Sequence, residues 1–288
     1  MLNQSLIEGS IPRPGISEPV PGEVLSIGTG FNALSFKHSQ FGGLMDPLVM
    51  VDHFTMTEPT FGTHPHAGMS AVSILFEDSI GAFRNLDSLG NKIDLEPGDL
   101  YWLKAARGAV HNEANTPGSR THALQVFVNL PASMKHDEPA SLHVRASDVP
   151  VIRGNGHTAR VVMGRSNGVS GAVSPALPLT VLDIRFDENG TFSHQLRQGQ
   201  SAWVYALRGE LLFETDDTTR TIPEGSAIAS HSASNVSLRS KNGGHAVILS
   251  GEPIREHFVQ KGPFVMSTTA DLERVADAYK DGLLGTID

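Results

Sequence analysis

Phe61-Gly62-Thr63-His64-Pro65-His66-Ala67-Gly68 and, further along, Arg107-Gly108-Ala109-Val110-His111-Asn112-Glu113 decide how this chain is read. Alternate residues of an extended strand share a face. His64 and His66 therefore aim together while Pro65 faces away, and His111 and Glu113 do the same around Asn112. Between the two pairs lie the turn signals Asp87-Ser88-Leu89-Gly90-Asn91 and Pro97-Gly98-Asp99, which fold the intervening chain into short strands. Imidazoles joined by one carboxylate suit a borderline divalent metal, and ligation from one side leaves positions for water, substrate or dioxygen. The expectation is a cage of His64, His66, His111 and Glu113 around one divalent transition metal. Iron(II) is placed first, and nickel, copper, manganese, cobalt and zinc suit the same donors. Glu113 is the natural base, able to leave or share the metal and take a proton from a bound hydroxyl.

Gly98 precedes His111 by thirteen residues and Gly108 precedes it by three. An H-x-H strand, a hairpin, spaced glycines and then a histidine is the order of the two cupin motifs. More specifically, the chain resembles the pirin family of bicupins in Phe61–Gly68, Asp87–Asn91, Pro97–Asp99, Gly108–Glu113, the QVFVNLP stretch Gln125–Pro131, and Gly262-Pro263-Phe264-Val265-Met266. The resemblance implies an all-β chain of two cupin (double-stranded β-helix, jelly-roll) barrels, and it matches His64, His66, His111 and Glu113 to the family's metal ligands one for one. It also implies that the chain ends exchange between the barrels. Bacterial pirins resemble quercetin 2,3-dioxygenases, which open the central ring of a flavonol with loss of carbon monoxide. The implied activity is a metal-dependent dioxygenase acting on a small aromatic, flavonol-like or otherwise enolizable planar substrate with dioxygen. The second reading is a metal- and redox-dependent regulator that docks on a protein partner. The family usually carries a basic residue directly after H-P-H and a glutamate four residues after the second histidine, where this chain has Ala67 and Ser70.

The composition narrows the setting. With 288 residues the chain can bury a large core or two. The absence of cysteine excludes disulfides, thiolate metal sites and cysteine nucleophiles, and it fits a reducing compartment. No basic cap followed by an apolar run opens the chain, and no stretch is long and apolar enough for a membrane helix, so a cytoplasmic location is expected. A formal charge of −9 and only a thin arginine cluster between Arg153 and Arg165 disfavour direct binding of nucleic acid.

Residues 1–135 are expected to form the metal-binding barrel, with 1–22 as an arm across it. The charged, proline-bearing segment 136–150 is read as a linker, and 151–288 as a second barrel. In Thr121–Leu130, His122, Leu124, Val126 and Val128 share one face, and Ala123, Gln125 and Phe127 the other. His53, His122 and Gln125 are each read as packing. Arg208-Gly209-Glu210 followed by Pro223-Glu224-Gly225 repeats the rhythm of the first half. The ligands are not repeated: Ser193-His194-Gln195-Leu196 stands where H-x-H is sought, and Leu238 lies thirteen residues after Gly225. The second barrel is therefore expected to hold no metal. Leu272, Val275, Ala276 and Tyr279 follow helical spacing, with Thr268 or Thr269 as cap and Gly282 as stop.

Overall fold

The alternation of small or polar with apolar residues in Met69–Leu75 and Thr121–Asn129 gives these strands two different faces. The strands pair antiparallel with Ser73 opposite Gln125. Leu75 and Ala123 enter one apolar cluster, whereas Val72, Ile74, Leu124, Val126 and Val128 enter another. The computed structural model, which describes residues 7–8, 15–231 and 233–287, shows why both faces are buried. One lines the inside of the N-terminal barrel and the other meets the C-terminal barrel.

Seven strands make the larger N-terminal sheet, in the order Ala140–Val144, Leu100–Lys104, Met69–Leu75, Thr121–Asn129, Leu48–Met56, Phe31–Lys37, Glu23–Ile27. A four-stranded sheet, Lys92–Leu95, Phe83–Asp87, Ala109–Asn115, His64–His66, lies across the barrel from it. The Asp87–Asn91 turn is locked by its own first residue, whose Oδ1 accepts from the Leu89 and Asn91 amides at 2.9 and 3.1 Å. Residues 140–144 thus form an edge strand of the first sheet, paired with Leu100–Lys104.

The second barrel is built on two seventeen-residue strands, Leu179–Gln195 and Asn235–Gly251, paired from Leu179↔Gly251 to Gln195↔Asn235. Its interior is apolar, with Leu182, Ile184, Val204, Phe213 and Ile248 among the buried residues. Between the barrels, Phe36, Val72, Trp102 and Val126 from one side meet Trp203, Tyr205, Val247 and Leu249 from the other. Trp102 and Trp203 are at most 1% exposed, yet neither indole N–H has a hydrogen-bond partner among the described residues. Burying such a ring gains on the order of 3 kcal/mol, and an unpartnered donor returns roughly 1–3 kcal/mol of that. The seam is therefore held by the area and shape of many side chains, not by these two alone.

The chain ends cross over, as the resemblance implied. Gly15–Ile16 and Val20–Pro21 pair with Ser226–His231 of the C-terminal barrel. Residues 259–266 return to the N-terminal barrel, where Ala67 and Phe264 form a parallel bridge. The expected arm over residues 1–22 lies partly outside the described residues. Helix Thr269–Lys280 packs Leu272 and Val275 into the same cluster as Ala67, Val110 and Phe264, and Thr268 Oγ1 caps it by accepting from the Asp271 amide at 3.1 Å. Gly282, with φ +73°, follows its end. No helix among the described residues is long and apolar enough to cross a membrane.

Candidate metal centre

The short strand His64–His66 pairs with Ala109–Asn115 so that His64 lies directly opposite His111 and His66 opposite Ala109. His111 then reaches both histidines of the first pair. Its Nε2 is 2.9 Å from Nε2 of His66 and 3.0 Å from Nε2 of His64. Among the described residues these three form the group whose ligand atoms lie within 4.8 Å of one another.

Hydrogen bonding alone does not explain the arrangement. A neutral ring nitrogen has either one hydrogen or one lone pair, so Nε2 of His111 cannot satisfy two neighbours at once. Nδ1 of His64 lies 2.8 Å from the Gly62 carbonyl. Since a carbonyl only accepts, the proton sits on Nδ1 and Nε2 presents its lone pair to the group, which is how metal-bound histidines are commonly oriented. Burial lowers the pKa of all three rings, to about 3 for His66 and well below the usual value for His111, so they stay neutral. Metal–nitrogen bonds of roughly 2.0–2.1 Å meeting at right angles place neighbouring nitrogens about 3 Å apart, against about 3.4 Å for a tetrahedron. The observed spacings of 2.9 and 3.0 Å are of the order that nitrogens sharing one cation require. The residues present fit a divalent cation.

Glu113 stands apart from this trio. It shares the strand and face of His111, and it is 7% exposed. Its Oε1 accepts from Ser73 Oγ at 2.5 Å, and Ser73 Oγ is also 3.0 Å from Oε1 of Gln125. Burial raises the Glu113 carboxyl to about 7, and the Ser73 hydroxyl opposes that rise. Gln125 lines the inside of the barrel, whereas His122 and His53 face the other barrel. Alternation put Gln125 on the opposite face from His122, but only the pairing of Ser73 with Gln125 reveals its place in the site.

The segment after His66 is pinned by a lysine. Lys135, 1% exposed, donates from Nζ to the Gly68 carbonyl at 2.8 Å, the Val265 carbonyl at 2.7 Å and Asn129 Oδ1 at 2.6 Å. Gly68 has φ +71°, and a Cβ there would stand 1.9 Å from the Val265 oxygen, so only glycine fits. Ala67 is fully buried against Val110, Phe264 and Met266, which leaves no room for a long basic side chain. Cationic side chains approach from elsewhere: Lys135 on Gly68, and Lys104, opposite Ser70 in the sheet, paired with Asp137 at 2.8 Å.

Registers also compare the two barrels. Leu238 pairs with Phe192, and Val236 with His194, as His111 pairs with His64 and Ala109 with His66. The residues matching the H-x-H pair are therefore Phe192 and His194, beginning one residue before the Ser193–Leu196 stretch to which the sequence pointed.

Two family models match the chain: "Pirin" over residues 31–128 and "Pirin C-terminal cupin domain" over residues 181–285. The chain belongs to the pirin family. Rat pirin is 32% identical over 241 residues, covering 83% of this chain and 81% of that protein. A Pseudomonas aeruginosa relative named "Putative quercetin 2,3-dioxygenase" is 29% identical over 251 residues, covering 83% and 87%. A crystal structure named as quercetin 2,3-dioxygenase from Acinetobacter baumannii superposes with a TM-score of 0.81 at 25% identity, over 97% of this pirin and 99% of that chain. The double-barrel pirin fold and a three-histidine site of metal-binding type are thus in place, with Ser73, Gln125 and Lys135 as supporting residues.

Proposed function

We propose that this pirin is a metal-dependent dioxygenase, similar to quercetin 2,3-dioxygenase, that opens a flavonol or a similar enolizable planar substrate. The observation that carries the reading is the convergence of three neutral imidazoles, with the buried Glu113 carboxylate two residues along the same strand from His111. The quercetin dioxygenase names of the bacterial relatives support it. We place the protein in the cytoplasm.

His64, His66 and His111 hold the cation through Nε2, with Glu113 as the fourth ligand, and iron(II) is the proposed occupant. A bound divalent metal supplies Lewis acidity towards an enolate oxygen and one-electron chemistry towards dioxygen. Glu113 accepts the proton of the substrate hydroxyl. Its raised affinity for protons suits that task near neutral pH, and Ser73 fixes the carboxylate through Oε1. Phe127, edge-on to the His66 ring with centroids 5.1 Å apart, offers an apolar wall that a planar ring can face.

Aerobic incubation of metal-loaded protein with quercetin, followed by loss of its visible absorbance, tests the proposal. Turnover that disappears in His111→Ala and Glu113→Gln supports it. Metal uptake with no consumption of flavonol contradicts it, and redox-dependent capture of a protein partner would then favour the regulatory reading.

A further inference from the structure

The C-terminal barrel has a cavity beside His194, the residue whose register matches His66. Register places Phe192 and Leu238 at the positions of His64 and His111, and both are buried in the apolar interior. His194, at the position of His66, keeps its imidazole. It is 3% exposed, its Nδ1 is 3.0 Å from Ser166 Oγ and its Nε2 is 3.3 Å from Ser250 Oγ. Beside it opens a cavity of about 720 Å³ whose lining includes Arg165, Ser166, Thr180, His194, Arg197 and Gln200. That volume lies within the range of roughly 300–1,000 Å³ typical of small-molecule sites.

The wall of this cavity is preformed. Residues 164–178 fold back on themselves, with the Gly164 amide donating to Ala172 O and the Gly171 amide to Gly164 O, both at 2.9 Å. A Cβ on Gly171 would stand 2.1 Å from the Val161 carbonyl, so the loop lies close against the barrel. Its charge is one-sided. The chain has 31 acidic and 22 basic residues, yet the lining holds Arg165 and Arg197 and, among the described residues, no aspartate or glutamate. The Arg165 side chain has no hydrogen bond or ion pair with any described residue. Arg197 has only Glu252 at 3.6 Å, and both of those side chains are about two-thirds exposed, a pairing worth little in water. Two exposed guanidinium groups in a lining that is otherwise uncharged suit a small anion with a body attached, because the planar fork matches a carboxylate in two parallel bonds.

We propose that this cavity is a second ligand site, one that takes a small organic carboxylate with its anion between Arg165 and Arg197 and its body over His194. A metal is not its occupant, because two of the three ligand positions carry hydrocarbon side chains. Inorganic phosphate would use the rim and leave the interior empty.

Isothermal titration of the metal-loaded, full-length protein with benzoate, phenylacetate and pyruvate tests the site, with benzamide as neutral control and inorganic phosphate as a separate arm. At least one carboxylate should bind with a dissociation constant below about 1 mM. The double variant Arg165→Ala/Arg197→Ala should weaken it about tenfold or more, and both positions are exposed enough to change without disturbing the core. His111→Ala, in the other barrel, should leave binding unchanged. The proposal is overturned if no carboxylate binds, if phosphate alone binds, if benzamide binds as well as benzoate, if the double arginine variant behaves like the parent, or if His111→Ala abolishes binding.

Discussion

Ser73 Oγ lies 2.5 Å from Oε1 of Glu113 while also facing Oε1 of Gln125 at 3.0 Å. A hydroxyl has one hydrogen, so it serves one of these acceptors at a time. Nε2 of Gln125 is buried without a partner among the described residues. A half-turn of that amide, which exchanges its oxygen and nitrogen, gives a continuous chain in which Gln125 donates to Ser73 and Ser73 donates to the Glu113 carboxylate. Ser73 thus fixes the orientation of the Glu113 carboxylate, which shares its strand with His111.

Replacing Ser73 by Ala should therefore release Glu113. The visible spectrum of the cobalt(II)-substituted protein should change as the carboxylate moves, and flavonol turnover should fall about tenfold, the effect of losing one hydrogen bond to a charged group. Ser73→Thr, which keeps the hydroxyl, should restore both. An unchanged cobalt spectrum in Ser73→Ala would show that the serine does not place Glu113.

The seam between the barrels predicts a pH dependence. Asp78 Oδ1 is 2.7 Å from His122 Nδ1, His122 Nε2 is 2.7 Å from His53 Nε2, and the Tyr205 hydroxyl is 2.6 Å from His53 Nδ1. A carboxylate only accepts, so His122 carries its proton on Nδ1. His53 then donates from Nε2, and Tyr205 donates to Nδ1 of His53. Burial, followed by the neighbouring His122 and His245, lowers His53 from 6.5 to about 3. The unfolded chain thus binds this proton below about pH 6.5 while the folded chain refuses it, so His53 loses stability for the protein as pH falls. The loss is about 2 kcal/mol between pH 7 and pH 5. Urea unfolding of the parent and His53→Gln across that interval should show a shallower slope in the variant, and parallel curves would contradict the assignment.

Lys135 should be costly to remove. Three oxygens at 2.6–2.8 Å match the three hydrogens of an ammonium group, although burial pushes the pKa down to about 7. Lys135→Met removes a charged hydrogen bond from each of those oxygens and should cost about 3–5 kcal/mol, lowering the melting temperature by roughly ten degrees. Because Val265 is one of the acceptors, residues 259–287 should also become more open to limited proteolysis. A variant that melts like the parent would show that the lysine adds nothing net.

The sequence carried much of this, and the limits have physical causes. The period of two is a local signal, so the faces of His64, His66 and His111, and the opposition of Gln125 to Leu124, could be read from neighbouring residues. Which face meets the other barrel could not, because that depends on Trp203 and Tyr205, far along the chain. Alternation also gives direction without reach. Glu113 shares the face of His111, but its hydrogen bond to Ser73, forty residues earlier, was invisible within an apolar run. Lys135 stood directly before the charged segment 136–150, where a lysine reads as surface. Phe192 was missed because the choice of register in a long strand rests on pairing with Leu238, not on spacing from a turn.

Elemental analysis after loading with iron(II) or nickel(II) and removal of excess metal tests the three-histidine centre most directly. The parent should retain about one metal per chain, as the fit of His64, His66 and His111 to one cation requires, and the variant His64→Ala/His66→Ala/His111→Ala should retain essentially none. Equal retention by parent and variant, or none by either, would contradict it.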